Sequence, residues 1–593
     1  MKPTNIKDPE YFHRVVDCQY ACPAHTPVPE YIRLIAERRY TEAYMINWES
    51  NVFPGVLGRT CDRPCEPACR RGRLGGGEEP VAICRLKRVA ADNKGEVRSL
   101  MPAIPAQKNG RKVALIGAGP ASLTVARDLA PLGYELHLYD EQGAGGGFMR
   151  SQIPAFRLPE QVLNEEVDYI LDMGIDVRFN HYVASLQSVL DEDYAAVFVG
   201  TGAPRGRDLP SLPGREEGAA NIHIGIDWLG SVAFGHTTAI GGQVLVLGGG
   251  NTAMDCCRTS RRIGGDDVKV VVRSPFKDMK ASSWEKEDAM AEDIPIHDNH
   301  VPKAFVVTDG RLTGMTFEKV TPVYDAKGRR SLVPTGEDDV FFPCTDVLIA
   351  IGQENAFPWI ERDIGIQFDK WDMPVVDPVT FRSSHERVFF GGDAAFGPEN
   401  VITAVAHGHQ AAVSIHLHCE GEDISQRPPP FTNLVSQKMG VHEWVYDSAV
   451  SDDPRYQVPH ADKAIALKDR RCEVELGFDI AQAHAEAARC LNCDAQTVFF
   501  ENRCIECDAC VDICPTDCLT FTPDAEEEVL RSQLTMPARN LEQPLYVSLE
   551  LPTRRVMVKD ENVCLHCGLC AERCPTSAWD MQKFLYNVSK AGQ

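Results

Sequence analysis

Eight cysteines toward the C-terminal end restrict this chain more than any other feature. Cys504, Cys507 and Cys510 are followed by Cys514-Pro515, and Cys564, Cys567 and Cys570 by Cys574-Pro575. Two copies of C-x2-C-x2-C-x3-C-P form the ligand pattern of paired [4Fe–4S] cubanes. Three closely spaced thiolates wrap three irons, while the fourth Cys lies past a turn and points away, so each run lends it to the other cluster. The expected sets are Cys504, Cys507, Cys510 and Cys574 for one cubane, and Cys564, Cys567, Cys570 and Cys514 for the second. A pair of zinc knuckles is the alternative, although zinc sites seldom use eight Cys in this paired pattern.

This region resembles a two-cluster ferredoxin. It departs from a compact one in residues 515–563, which carry an acidic run at 524–528 and a polar, hairpin-like run toward Met557. The insert reads as a docking surface or, equally, as a solvated acidic loop. The whole chain has 22 Cys in 593 residues. A secreted disulfide scaffold would be short and carry a signal peptide, and residues 1–30 lack the basic start, apolar core and small-residue cleavage site of one. A reducing, cytoplasmic setting is expected, with thiolates serving as metal ligands. No apolar run reaches the roughly 18 residues that span a bilayer, so no membrane insertion is expected. The net charge of −24 repels phosphate backbones, so nucleic acid is not expected as a partner.

Upstream, the texture is strand, Gly-turn, helix, strand, the rhythm of a parallel sheet, and it occurs twice. The first copy, Val113-Ala-Leu-Ile-Gly-Ala-Gly-Pro-Ala-Ser122, places Gly117, Gly119, Pro120 and Ser122 between strand and helix, with Asp140 closing the next strand. Gly117 permits the turn, Gly119 lets the backbone approach a pyrophosphate, the helix N-terminus attracts it, and the acid binds a ribose. The second copy has Gly248, Gly250, Asn251, Thr252 and Ala253, but its following strand ends in Arg273, with Lys277 beyond. A cation there suits a 2′-phosphate, favouring NADP(H) over NAD(H), with a solvated basic loop as the plain alternative. Val388-Phe-Phe390 supplies a further strand for the first copy, so the second unit is expected to be inserted into the first.

In flavoproteins with two nucleotide domains, a segment like Gly391-Gly392-Asp393, followed by Asn400 and a helix from Val401, sets the acid beside the ribityl and pyrophosphate of FAD. The helix N-terminus then lies near the flavin ring. Gly202 and Gly352 end the strands that cross between the two domains. No Cys-x2-Cys or Cys-x4-Cys lies in 111–425, so a redox disulfide is not expected, and Cys256-Cys257 read as buried thiols.

Cys18-x3-Cys22-Pro23, Val56-Leu-Gly-Arg-Thr-Cys61-x3-Cys65-Glu-Pro-Ala-Cys69 and Pro80-Val-Ala-Ile-Cys84 resemble the Fe–S domain of the small subunit of glutamate synthase, a domain that recurs in dihydropyrimidine dehydrogenase. Gly146-Gly-Phe-Met-Arg150 and Ile153-Pro-Ala-Phe-Arg-Leu-Pro159 extend the match over about residues 10–420 and mark Gly147 and Arg157 as cofactor residues. The family's two N-terminal clusters rest on an earlier Cys-x2-Cys that is absent here, so one cluster is expected to be lost. The resemblance implies Cys22, Cys61 and Cys65 as ligands of the cluster nearer the flavin. The family's fourth ligand falls near Lys87, and Cys84, one helical turn earlier, can replace it. Sets that recruit Cys18 or Cys69 stay open. Cys472, Cys490, Cys493 and Cys518 have no assignment, and His407, His409, His416 and His418 read as packing or surface residues.

The expected architecture is multi-domain α/β: a helical Fe–S domain (1–105), a Rossmann-like FAD domain (106–225 and 346–425) with a Rossmann-like NAD(P) domain inserted (226–345), a connector (426–495) and a ferredoxin-like α+β domain (496–593). Within 1–105, one helix is expected over 29–47 and another over 81–92. The expected function is an electron-transfer flavoprotein subunit using FAD, NADP(H) or NAD(H), and three [4Fe–4S] clusters. Its partner would be ferredoxin or a catalytic oxidoreductase subunit such as a 2-oxoacid oxidoreductase core. The alternatives are a self-contained reductase of a small molecule and a glutamate synthase small subunit serving a separate large one.

Overall fold

The computed structural model describes residues 1–73, 78–427, 429–436, 451, 453–536 and 541–593. Pro428 and residues 437–450 and 452 of the expected connector lie outside the described residues. Lys112–Ile116 is the middle strand of a five-stranded parallel sheet, in the order Val388–Phe390, Ala196–Val199, Lys112–Ile116, Glu135–Tyr139, Asp176–Arg178. Its inner strands are buried on both faces, which demands cover on both sides. Helices Pro120–Leu129 and Val401–Glu420 pack together over one face, and segments carrying Leu186, Phe357 and Trp359 cover the other. Phe389 lies opposite Phe198 in this sheet, so the intervening unit is an insertion.

That inserted unit has its own five-stranded parallel sheet, ordered Ile222–Ile224, Asp346–Ile349, Gln243–Leu247, Asp267–Val271, Ile296–His297. The expected boundaries at 225/226 and 345/346 are therefore corrected. Ile222–Ile224 and Asp346–Ile349 belong to the second nucleotide sheet, where they extend it beyond the buried strand Gln243–Leu247. The crossing between domains is made by the short antiparallel pair Arg205–Gly206 and Gln353–Glu354. An antiparallel sheet from His300–Thr308 to Val340–Pro343 packs Phe305, Met315 and Phe317 against the inserted sheet.

In the N-terminal region the single helix expected over 29–47 is two, Val28–Ala36 and Tyr40–Asn51, broken where Arg38 takes φ 61°. With Pro54–Thr60 and Ile83–Asn93 they share one continuous core with the flavin-motif sheet, in which Val56, Leu57 and Leu86 join Leu115, Leu123 and Ile415. The C-terminal region has two three-stranded sheets. Phe431–Ser436 pairs with Trp579–Asn587, which also pairs with Ala495–Phe499, so part of the expected connector is a strand of this last domain. In the acidic run at 524–528, Asp524, Glu526 and Glu528 are exposed, as the solvated reading expects. Asp524 accepts from the Met1 amino group at 2.7 Å, and the run leads into helix Glu527–Ser532.

Candidate functional site

A cavity of about 800 Å³ opens between the two nucleotide sheets and the N-terminal helices. Gly117, Gly119, Pro120, Asp140, Gly147, Arg157, Gly202, Gly392, Asp393, Asn400, Val401, Asn251 and Thr252 all line it. The glycines divide into two kinds. At Gly117, with φ +93°, a Cβ would lie 2.7 Å from the Gly200 carbonyl oxygen, so this residue closes the strand-to-helix turn. At Gly119 the nearest atom to such a Cβ is 3.6 Å away, so backbone there faces room for a ligand, and Gly250, just off the cavity wall, has none within 4 Å. This is the cradle that a dinucleotide pyrophosphate requires.

Asp140 accepts from the Ala118 N–H at 2.6 Å and the Gln142 N–H at 2.8 Å, while burial raises its pKa. Asp393 is pushed up to about 6 by burial, against a 3.0 Å hydrogen bond from the Glu399 N–H. Asn400 caps helix Val401–Glu420 by accepting from Thr403 N–H at 2.9 Å, so the helix dipole points into the cavity beside Asp393.

Several expected cofactor residues stand elsewhere. Ser122 is buried behind the turn, with its hydroxyl against Gly200, and Gly248, Gly250, Ala253 and Gly352 are not on the wall. Arg157 is on the wall but pairs with Asp255 at 2.6 Å and with Glu285, so it ties the flavin-motif domain to the inserted one. Arg273 and Lys277 are exposed outside the cavity, and Lys277 lies over the Tyr324 ring.

The N-terminal cysteines stand next to this cavity. Cys22, Cys61, Cys65 and Cys84 are all buried, and Thr60 and Asp62, which flank Cys61, line the cavity itself. Asp62 accepts from Asn251 Nδ2 at 3.3 Å. Hydrogen bonds from the Cys61 and Cys65 thiols hold Cys84 well below the ordinary thiol range. Lys87, 4% exposed, donates to Asn51 Oδ1 at 3.1 Å. Burial acts to discharge it, but Cys84, Cys61, Cys65 and Cys22 outweigh that and raise its pKa.

In the C-terminal region, Cys504, Cys507, Cys510 and Cys574 line one small cavity with Phe499, Phe521 and Trp579. Cys567 has Cys564 and Cys514 as electrostatic neighbours, and Cys570 has Cys564 and Cys567. Cys518, unassigned from sequence, lies 3.5 Å from Cys514, sulfur to sulfur. Buried Lys559 stands by Cys564 and Cys570 as Lys87 does by its own set. Among the described residues no three cysteine sulfurs lie within 4.8 Å of one another. Cys504, Cys507, Cys510 and Cys574 converge on one pocket as an all-sulfur donor set of the kind an iron–sulfur cubane takes.

Sequence reasoning missed Thr60, Asp62, Lys87 and Lys559, because a lysine in a helix or strand reads as surface. The histidines pack as expected: His409 is buried against Asp128, and His416 Nδ1 is 2.9 Å from the Tyr134 hydroxyl. Cys256 and Cys257 are buried thiols, as expected. No helix among the described residues is long and apolar enough to cross a membrane.

Family models match three regions: pyridine nucleotide-disulphide oxidoreductase over residues 111–408, dihydropyrimidine dehydrogenase domain II with a 4Fe-4S cluster over 13–98, and a 4Fe-4S dicluster domain over 503–578. Among curated proteins, the chain is 35% identical to the NADP(+)-dependent formate dehydrogenase subunit beta of Moorella thermoacetica, across 80% of this chain and 70% of that one. It is 31% identical to the NADPH-Fe(3+) oxidoreductase subunit beta of Geobacter sulfurreducens, across 83% and 77%. The glutamate synthase [NADPH] small chain of Azospirillum brasilense is 32% identical, across 68% and 86%. With its dinucleotide cradles between two iron–sulfur regions, the chain belongs to the pyridine nucleotide-disulphide oxidoreductase family, as an FAD- and NAD(P)H-dependent iron–sulfur oxidoreductase.

Proposed function

We propose that this chain is an electron-transfer subunit that moves electrons between NADPH and a partner protein, through flavin, an N-terminal cluster and the ferredoxin-type clusters. The observation that carries this reading is the position of Cys61, whose neighbours Thr60 and Asp62 line the cavity of the flavin motif. In this reading a cluster ligand stands one residue from the flavin pocket.

In this reading Gly119, Asp140, Gly392, Asp393 and the N-terminus of helix Val401–Glu420 hold FAD. Gly250, Asn251 and Thr252 hold the nicotinamide nucleotide, with Arg273 toward its 2′-phosphate. FAD held by these residues would supply hydride acceptance and one-electron release, chemistry that asks the chain for stacking and orientation more than for a protein acid or base. Cys22, Cys61, Cys65 and Cys84 hold the first cubane, and the two crossed C-terminal sets hold the others. Lys87 supplies positive charge against the first, and Arg157 keeps the nucleotide domains in register. Ile505, 62% exposed between Cys504 and the exposed Cys507, offers a surface exit for electrons.

Two of the relatives are named as beta subunits, which favours a partner subunit carrying the substrate chemistry. The reading is tested by anaerobic purification from the native host, with identification of co-eluting chains and assay of NADPH-driven viologen reduction. A co-eluting catalytic subunit and rapid viologen reduction are expected. A chain that elutes alone and passes no electrons to viologen would overturn it.

A further inference from the structure

Cys18, Cys69, Cys490 and Cys493 come from opposite ends of the chain, yet they line one small cavity together with Val28, Ile32, Val81 and Ile83. Cys69, Cys493, Cys490 and Asp17 are the electrostatic neighbours of Cys18. We propose that these four cysteines ligate a fourth [4Fe–4S] cluster, in which Cys490-x2-Cys493 replaces the N-terminal pair that this chain lacks.

The local backbone supports a cluster over idle thiols. In Cys504-x2-Cys507 and Cys564-x2-Cys567 the residue before the second Cys is left-handed, Glu506 at φ 54° and His566 at φ 55°, and its N–H donates to the first sulfur at 3.3 Å. Asn492 repeats this at φ 50°, with its N–H donated to Cys490. A non-glycine residue in that region is uncommon, and here the same turn opens all three of these cysteine segments.

The two halves of the site are fixed to each other. Helix Ile480–Ala487, opened by a capping box at Asp479 and Gln482, packs on Val28–Ala36. Glu486 accepts from the Ala82 N–H at 2.8 Å and pairs with Arg489, which donates to the Glu79 carbonyl at 2.7 Å. Arg33 donates to Asp494 Oδ1 at 3.1 Å.

The site lies between the others. Arg70, on its wall, donates to the Cys564 carbonyl at 2.6 Å, and the His566 ring is 3.0 Å from the Cys493 carbonyl. On the other side, buried Tyr31 neighbours Cys18 as well as Cys22, Cys65 and Cys84. A cluster here joins the flavin-side centre to the ferredoxin-type pair.

The test is iron, sulfide, zinc and flavin analysis of the full chain purified without oxygen, alongside the Cys490→Ala/Cys493→Ala double variant and a Cys472→Ala control. We expect about sixteen iron per FAD in the native chain, falling by about four in the double variant, with flavin content and the control unchanged. A native count of about twelve overturns the fourth site and leaves the three-cluster reading standing, whereas about eight or fewer overturns both. Iron retained in full by the double variant overturns the ligand set, and zinc lost in place of iron overturns the cluster type. Should the double variant not fold, spin counting on the dithionite-reduced native chain decides: about four reduced-cluster spins support the proposal and about three overturn it.

Discussion

Replacing Lys87 by methionine should lower the reduction potential of the N-terminal cluster. Lys87 is buried one helical turn beyond Cys84 on Ile83–Asn93, and its charge is sustained by the four surrounding cysteines. A thiolate-ligated cubane gains one negative charge on reduction, so a fixed cation beside it favours the reduced state. Side chains three apart on a helix approach to ~6 Å, which puts the ammonium ~7 Å from the cluster centre. With an effective dielectric of ~20, Coulomb's law then gives about 2.4 kcal/mol. For a one-electron couple this is ~100 mV, at 59 mV for each factor of ten. Methionine keeps the length and apolar bulk of the lysine stem, and Lys87→Arg retains the charge as a control. Redox titration followed by electron paramagnetic resonance reads the change on the assembled protein. A shift under ~20 mV, or a shift upward, would refute the argument that this ammonium faces the cluster.

Glu166 accepts from Gly55 N–H at 2.6 Å, Val56 N–H at 3.0 Å and the Tyr44 hydroxyl, yet burial pushes its pKa up to about 7. A carboxyl raised above its unfolded value contributes stability that is present at low pH and lost as pH rises through about 7. Between pH 5 and 8, Glu166→Gln should therefore flatten the fall in melting temperature seen in the native chain, and parallel curves would count against the assignment. Arg157→Ala leaves Asp255 and Glu285 buried without their cation, and should cost ~3–5 kcal/mol in calorimetric unfolding. A loss below ~1 kcal/mol would show that the tie between domains is unimportant. Arg273→Ala should raise KM for NADPH about tenfold or more while leaving NADH unaffected, as expected for a charge-assisted bond to phosphate. Equal effects on both nucleotides would remove Arg273 from the 2′-phosphate site.

The parts of this molecule that were legible in its sequence are those whose chemistry is local. A Gly-x-Gly turn between a buried strand and a helix reports its own function, and so does a Cys run with ferredoxin spacing. Ile222–Ile224 and Asp346–Ile349 were assigned to the wrong sheet because a short buried apolar strand reads the same whichever sheet receives it. The break at Arg38 was hidden by helix-forming residues on both sides. Arg157 carried the right motif and lines the cavity, but its ion pairs with Asp255 and Glu285, on another domain, could not be read from spacing. Spacing could not join Cys18 and Cys69 to Cys490 and Cys493, since only the packing of helix Ile480–Ala487 on Val28–Ala36 brings them together.

The most direct test of a continuous path from nicotinamide to clusters runs it backwards. Fully reduced chain, freed of excess reductant, is mixed with NADP+ without oxygen, and NADPH formation is followed beside the cluster resonances. Flavin carrying two electrons and four clusters carrying one each should yield about three NADPH per chain, with the resonances vanishing in step. A yield of about one, with the clusters still reduced, would mean that the flavin alone communicates with the nucleotide, and the path would be broken.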